Sequence, residues 1–129
     1  ERPLYETMLR DRDAVERASI PVEQTKGPIL LISGKADDQW PSYELAQIAY
    51  HRLQGNHHPY PFAHLSYEGA GHGLSFPYTP TTMTGYVHPL TQRLYSPGGD
   101  PSMTARANAD SWPKVLAFLA DARSRVKPR

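Results

Sequence analysis

The feature that most constrains the fold is a continuous apolar run bounded by glycine and proline. Residues 27–34 read Gly-Pro-Ile-Leu-Leu-Ile-Ser-Gly. A run of this length between turn-forming residues is typical of a strand that is buried on both faces, as in a parallel sheet. Parallel strands need a crossover connection between them, and that connection is usually a helix. The segments on either side of this strand therefore decide the fold class.

Those segments alternate between helical and extended patterns. Apolar positions Leu4, Tyr5, Met8 and Leu9 predict a helix over residues 3–18, with a possible new start at Asp13. After the apolar strand, Ser42 is expected to cap a second helix and Gly55 to end it in the left-handed conformation. A shorter strand is predicted over residues 63–67.

The rest of the chain is a long connection followed by one helix. Residues 74–103 show no regular period, and most of the 13 prolines lie between Pro59 and Pro101. A connection of this length usually has a function, such as covering a site. The last helix is predicted over residues 104–126, with Trp112, Leu116 and Leu119 in the core. Pro113 should kink it or mark a restart capped by Ser111.

This order predicts an α/β fold with a few parallel strands flanked by helices and a long irregular loop. Two strands alone make a poor sheet, so we expect the unit to extend a larger one. Residues 1–129 would then be a single domain and a fragment. The start at Glu1, with neither an initiator Met nor a signal segment, is read as a cut inside a longer protein. An exposed sheet edge would also allow a homodimer.

Composition narrows the classes of partner. The formal net charge of +1 gives no electrostatic reason to expect nucleic acid, and no apolar run is long enough to cross a bilayer. The absence of cysteine excludes disulfides, thiolate metal sites and a cysteine nucleophile within the sequence. We predict a cytoplasmic location and no metal or cofactor.

Two glycine-rich turns follow the predicted strands and carry ionisable side chains. Asp37 comes after the first strand and His72 after the second, within Gly-Ala-Gly-His-Gly. In an open parallel sheet, catalytic groups gather beyond the carboxyl ends of the strands, so both side chains should emerge at one edge. A histidine can activate a hydroxyl or thiol nucleophile, and a buried carboxylate on its other nitrogen fixes the tautomer.

These residues resemble a known pattern. Gly34-x-x-Asp37-x-x-x-Pro41 followed by Gly71-His72-Gly73 is similar to the acid and histidine loops of α/β-hydrolases. More narrowly, the chain resembles the C-terminal domain of the acyl-CoA thioesterase and bile acid-CoA:amino acid N-acyltransferase family. The segments that carry this likeness are residues 20–23 (IPVE), 27–34 (GPILLISG), 69–72 (GAGH), 98–101 (GGDP), 109–112 (ADSW) and 115–119 (VLAFL).

The resemblance implies roles that the residues alone do not establish. Asp37 matches the triad acid and His72 the triad base. The nucleophile, a Ser or Cys on a sharp turn, should precede this segment, because Ser33 lacks the upstream glycine of the motif and Ser75 lies in an irregular loop. The family's substrate is an acyl-CoA thioester and no separate cofactor is implied. The chain alone should be inactive and should need the missing N-terminal part.

Several alternatives stay open at this point. Asp38 is a rival acid, and His57-His58 with His51 and His64 invites a metal hypothesis, although no carboxylate or thiolate stands at ligand spacing. The loop aromatics could line an acyl pocket or pack the loop against the sheet; they are Phe76, Tyr78, Tyr86 and Tyr95. The terminal cations could meet the phosphates of coenzyme A or form a solvated helix end; they are Arg123, Arg125, Lys127 and Arg129.

The leading functional hypothesis is hydrolysis or transfer of an acyl group from an acyl-CoA thioester through an acyl-enzyme. The alternatives are another α/β-hydrolase activity (an esterase, a dienelactone hydrolase or a serine peptidase) and a truncated domain that serves binding or assembly without catalysis.

Overall fold

The structure is a computed structural model that describes residues 2–83 and 85–125. Its elements follow one another as two short helices, a 3-10 turn, and then strand, helix, strand, a two-stranded hairpin-like ladder and a long helix. Their bounds are α1 (Arg2–Met8), α2 (Arg12–Ala18), the 3-10 turn (Val22–Gln24), β1 (Ile29–Gly34), α3 (Ser42–Gly55), β2 (Phe62–Tyr67), β3 (Tyr86–Val87), β4 (Leu94–Tyr95) and α4 (Pro101–Ser124).

The two longer strands form the parallel sheet that the sequence predicts. β1 pairs with β2 in parallel from Ile29 opposite Phe62 to Gly34 opposite Tyr67. The ring of Phe62 contacts Tyr50 of α3, whereas the hydroxyl of Tyr67 bonds to Asp110 of α4. Because side chains alternate along a strand, α3 and α4 cover opposite faces of the sheet. The chain is therefore a mixed α/β unit built on a small parallel sheet, as predicted.

The boundaries of the first helices differ from the prediction. Residues 3–18 form two helices rather than one, and the second is capped by Asp11, not restarted at Asp13. The Asp11 carboxylate accepts the amide of Ala14 at 2.9 Å. A capping carboxylate of this kind satisfies an amide at the helix start that has no partner within the helix.

α3 also begins and ends differently. Ser42 is its first residue and not its cap, because the Ser42 hydroxyl donates to the carbonyl of Gly34 at 3.0 Å. That bond ties the helix to the end of β1. At the other end Gly55 is still helical, and the left-handed residue is His57, with a φ of 50°. The turn at His57 carries the next residue, His58, into the buried interior.

α4 begins earlier than predicted and continues through its proline. Asp100 caps it by accepting the amides of Ser102 at 2.8 Å and Met103 at 3.0 Å, so the helix starts at Pro101. Pro113 neither ends nor restarts it, and Ser111 lies inside the helix. The predicted end at Val126 falls outside the described residues. Residues 74–100 are mostly irregular as predicted, apart from the two-residue ladder of β3 and β4.

The buried apolar core of the described residues is small and consists of Leu53, Ala70 and Ala107. The prediction that Trp112, Leu116 and Leu119 lie in the core is wrong. They are 37%, 50% and 57% exposed, because the two-stranded sheet covers only the first part of α4. A cavity of about 390 Å³ also opens between α1, α2 and α3, lined mostly by apolar side chains. Neither Asp37 nor His72 lines it.

Candidate active site

The end of β1 places Asp37 beside the loop that follows β2. The amide of Lys35 donates to the carbonyl of Tyr67, and the amide of Ala36 donates to that of Ala70, each at 3.0 Å. The two loops approach so closely that a Cβ on Gly34 would lie 2.4 Å from the oxygen of Ala70. Glycine at position 34 therefore permits the contact. Asp37 is left 1% exposed.

Two hydrogen bonds hold the backbone of His72 in place. Its amide donates to the carbonyl of Pro97 at 2.7 Å, and its carbonyl accepts the amide of Leu74 at 2.9 Å. The preceding Gly71 donates its amide to the hydroxyl of Thr104 in α4 at 3.1 Å. These bonds fix where the imidazole leaves the chain, while its side chain keeps 29% of its surface exposed.

The structure brings the two predicted residues into direct contact. Nδ1 of His72 lies 3.0 Å from Oδ2 of Asp37. The other carboxylate oxygen, Oδ1, accepts the amides of Gln39 at 2.9 Å and Trp40 at 3.2 Å. Because a carboxylate accepts hydrogen bonds, the imidazole proton belongs on Nδ1 and the lone pair on Nε2. No hydrogen bond among residues 2–83 and 85–125 uses Nε2 of His72, so that atom is available to take a proton.

The rival acid, Asp38, has no such contact. It is exposed, and within the described residues its side chain makes no hydrogen bond to His72. Two neighbouring side chains pack around the Asp37–His72 pair. Arg2 donates to the backbone carbonyl of Asp37 at 2.7 Å, and the Trp40 ring packs edge-to-face against His72 with centroids 4.5 Å apart. The acid that contacts the imidazole is therefore Asp37 and not Asp38.

A third segment, residues 97–100, holds both loops together. Gly98 has a φ of 66° and forms an antiparallel bridge with Asp37. A Cβ on Gly98 would lie 2.3 Å from the oxygen of Ala36, and one on Gly99 would lie 2.2 Å from the amide nitrogen of Gly71. Glycine at positions 98 and 99 therefore allows this segment to contact both the loop that carries Asp37 and the loop that carries His72. In the sequence, Gly98 and Gly99 contribute only to the family resemblance. Two adjacent glycines just before the helix cap Asp100 are nevertheless a signal of such a close approach.

Two buried polar residues of α4 also hold the loop that carries His72, a role that was not predicted from the sequence. Thr104 is 5% exposed and accepts the amide of Gly71. Asn108 is 1% exposed, and its Oδ1 accepts the amide of Ser75 at 2.8 Å while its Nδ2 donates to the carbonyl of Gly73. Polar residues on the inner face of an otherwise amphipathic helix were the available signal, because buried polar groups need partners.

Ionisable groups near the strand ends are paired with one another. At the end of β1, Lys35 forms an ion pair with Glu68, and that hydrogen bond raises the pKa of the lysine. On the other face, burial and the hydrogen bond to Asp110 hold the pKa of Tyr67 well above its usual range. Neither group bonds to Asp37 or His72 among the described residues.

A serine–histidine contact lies away from the Asp37–His72 pair. Ser33 Oγ is 2.8 Å from Nε2 of His64, and Nδ1 of the same ring is 3.1 Å from Nε2 of Gln47. Burial, followed by the charge of Lys35, lowers the pKa of His64. Ser33 is only 2% exposed within β1, so a substrate carbonyl cannot reach its hydroxyl. This contact is part of the packing between the sheet and α3.

The structure separates the remaining candidates. His58 is 6% exposed, and its two ring nitrogens face the carbonyl oxygens of Glu23 and Gly27 at 3.2 and 3.1 Å. Both ring nitrogens of His58 are therefore engaged by backbone carbonyls and are not free to bind a metal ion. Within residues 2–83 and 85–125, no group of three or more His, Cys, Asp or Glu residues could hold a metal ion. Ser75 is exposed, and its hydroxyl donates to the carbonyl of Phe76.

The loop aromatics do not share one role. Phe76 packs on Trp112 with ring centroids 6.1 Å apart, which is packing of the loop on α4. Tyr86 stacks on Tyr95 at 5.3 Å and also lines the pocket that His72 lines. Tyr78 is fully exposed and does neither. Among the terminal cations, Arg125 pairs with Asp121 of the preceding turn, as in a solvated helix end. Lys127 and Arg129 lie outside the described residues.

A pocket of about 180 Å³ opens on the exposed side of His72. Its walls are the histidine loop, the segment around Gly98, the first turn of α4 and part of the long loop. An oriented carboxylate, an accessible imidazole nitrogen and an adjoining pocket are the arrangement expected for proton transfer to a bound reactant.

Comparison with known proteins shows the family of this chain. The family model described as BAAT / acyl-CoA thioester hydrolase C terminal matches residues 4–124. The chain belongs to this family. The match covers the loops that carry Asp37 and His72, the Gly98 segment and all of α4, so the family resemblance inferred from the sequence is confirmed.

The relatives that the chain matches are named either as thioesterases or as N-acyltransferases. The chain is 36% identical to peroxisomal succinyl-coenzyme A thioesterase of Mus musculus over 100 residues, which is 78% of this chain and 23% of that protein. It is 36% identical to acyl-coenzyme A amino acid N-acyltransferase 2 of Mus musculus, with the same coverage. It is 31% identical to human (Homo sapiens) bile acid-CoA:amino acid N-acyltransferase over 90% of this chain and 27% of that protein.

The chain thus spans about a quarter of the length of the curated relatives it matches. Within the described residues, no helix is both long and apolar enough to cross a membrane. The cytoplasmic location stays a prediction, and one relative is named as peroxisomal.

Proposed function

We propose that this chain supplies the acid and the base of an acyl-CoA thioesterase or acyltransferase whose nucleophile is a Ser or Cys elsewhere in the complete protein. The observation that carries the proposal is the 3.0 Å contact between Nδ1 of His72 and the Asp37 carboxylate, with His72 also lining an open pocket. The family membership supports a thioester as the substrate, because its relatives are named for reactions of acyl-coenzyme A.

The chemistry follows from the positions of the two ring nitrogens. Nε2 of His72 takes the proton of the nucleophile as the latter attacks the thioester carbonyl, and the C–S bond then breaks to leave an acyl-enzyme. The imidazolium returns its proton to the departing thiolate of coenzyme A. Water, or the amino group of an acceptor, next gives a proton to Nε2 and attacks the acyl-enzyme. The bond between the acyl group and the nucleophile then breaks, and the imidazolium returns the proton to the Ser or Cys as the acid or amide leaves. Asp37 holds the ring in one tautomer and stabilises the imidazolium at each step.

The fold proposed for the complete protein is an α/β-hydrolase, with residues 1–129 as a single C-terminal domain. The parallel pair of strands with helices on opposite faces supports this reading, as do the acid and base at the carboxyl ends of neighbouring strands. The exposed apolar residues around α1 and α2, including Leu4, Met8 and Ile20, support packing against the rest of the protein. Alone, the chain would lack the nucleophile and be inactive.

The proposal is tested by measuring what the complete protein cleaves. We expect thiol release from hexanoyl-CoA, and slower or no release of alcohol from the oxygen ester with the same acyl group. Adding glycine or taurine and analysing the products separates hydrolysis, which gives hexanoic acid, from acyl transfer, which gives the amide. Cleavage of oxygen esters or peptides without cleavage of acyl-CoA would instead favour one of the other α/β-hydrolase activities.

A further inference from the structure

The pocket beside His72 is lined by uncharged groups. Around His72, its described walls are Gln39, Gly73, Pro80, Thr81, Met83, Gly85, Tyr86, Pro97, Gly98, Gly99, Pro101 and Thr104. Among these described lining residues there is no Lys, Arg, Asp or Glu. The pocket volume of about 180 Å³ is also below the ~300–1,000 Å³ of sites that enclose a whole ligand. It suits one part of a substrate, next to the reacting atoms.

The N-terminus of α4, which lies at the pocket, does not supply the positive charge that the lining side chains lack. The first turn of α4 forms part of the wall, and a helix N-terminus often attracts an anion. Here Asp100 already occupies that position, because its Oδ1 accepts the amides of Ser102 and Met103. The hydrogen bond from the Ser102 hydroxyl, followed by these amides, lowers the pKa of Asp100 and keeps it anionic. Arg106 also lowers that pKa but does not line the pocket.

Part of the pocket wall comes from the long loop, and hydrogen bonds and ring stacking hold this part in place. Thr81 donates its hydroxyl to the carbonyl of Pro101 at 2.8 Å. Tyr86 pairs with Tyr95 in the ladder of β3 and β4, and their rings stack. Between them Met83 lines the pocket while 67% exposed. The long loop therefore supplies uncharged side chains to the pocket that His72 also lines.

We propose that this pocket receives an uncharged acyl group and disfavours a carboxylate, so that the complete protein prefers monocarboxylic over dicarboxylic acyl-CoA. This inference rests on the proposed function and specifies its substrate. A carboxylate in the pocket would lose water without gaining a cationic partner from the described lining residues. An alkyl group would instead contact Met83, Tyr86 and the proline rings.

The test compares hexanoyl-CoA with succinyl-CoA as substrates of the complete protein. We expect kcat/KM to favour hexanoyl-CoA by at least about tenfold, because burying an unpaired carboxylate is costly. Met83→Lys introduces a cation at the pocket and should raise the succinyl-to-hexanoyl ratio of kcat/KM at least about fivefold. Met83→Gln, which removes the apolar contact without adding a charge, should raise that ratio clearly less than Met83→Lys does. Because Met83 is mostly exposed, both variants should keep the parent's thermal unfolding midpoint.

The possible failures are distinct. Equal use of both substrates by the parent, or an unchanged ratio in Met83→Lys, would overturn the pocket assignment and leave the thioesterase proposal standing. An equal rise in Met83→Gln would also overturn it, since charge would not be the cause. A protein that cleaves neither thioester overturns the proposed function and this inference with it.

Discussion

The His72→Ala variant of the complete protein is expected to lose at least about a hundred-thousandfold in kcat for acyl-CoA cleavage. Nε2 of His72 would take the proton of the nucleophile, and among the described residues no other imidazole lines that pocket. Removal of the ring leaves the nucleophile without a base. The measurement is release of free thiol from hexanoyl-CoA under saturating substrate.

His51→Ala is the matched control for this experiment. His51 is exposed on α3, where its ring contacts only Gln54 among the hydrogen bonds of the described residues. Its loss should leave turnover within about twofold of the parent. Equal activity of His72→Ala and the parent would show that the proposed base is wrong, whatever the substrate.

The second large effect is expected for Asp37→Asn, which should lower kcat roughly ten-thousandfold. An asparagine keeps the size of the side chain, and its Oδ1 can still accept the amides of Gln39 and Trp40. The acid loop should therefore persist. The amide nitrogen that replaces Oδ2 donates toward Nδ1 of His72, so the ring proton moves to Nε2 and the base is lost.

Asp38→Asn is the control, because Asp38 neighbours Asp37 in sequence but is exposed. It removes the same charge from the same loop and should change kcat by less than about twofold. The comparison is made by thiol release, with thermal unfolding to confirm that both variants are folded. If Asp38→Asn were the more damaging change, the acid would have to be reassigned to Asp38.

The sequence was sufficient for the features that depend on local pattern. The apolar run before Gly34 predicted a buried parallel strand, and a glycine-rich turn after each strand predicted where Asp37 and His72 would meet. The direct contact between these two residues was therefore predictable from chain order and strand direction. Their catalytic roles stay predictions.

Features set by tertiary contacts were not predictable. Ser42 looked like a helix cap, but its hydroxyl bonds to the carbonyl of Gly34 across the turn. Trp112 looked like core from its spacing, yet the narrow sheet leaves that part of α4 uncovered. The supporting roles of Gly98 and Asn108 depend on loops that are distant in sequence. Local propensity and periodicity carry no information about such partners.

The central claim is that Asp37 and His72 act as one unit, and a double-mutant cycle tests it most directly. kcat is measured by thiol release from hexanoyl-CoA for the complete protein, for Asp37→Asn, for His72→Ala and for the double variant. If Asp37 acts through His72, the double variant should be no slower than His72→Ala, because the carboxylate has nothing left to orient. If the two losses multiply in the double variant, the residues act independently and the account is contradicted.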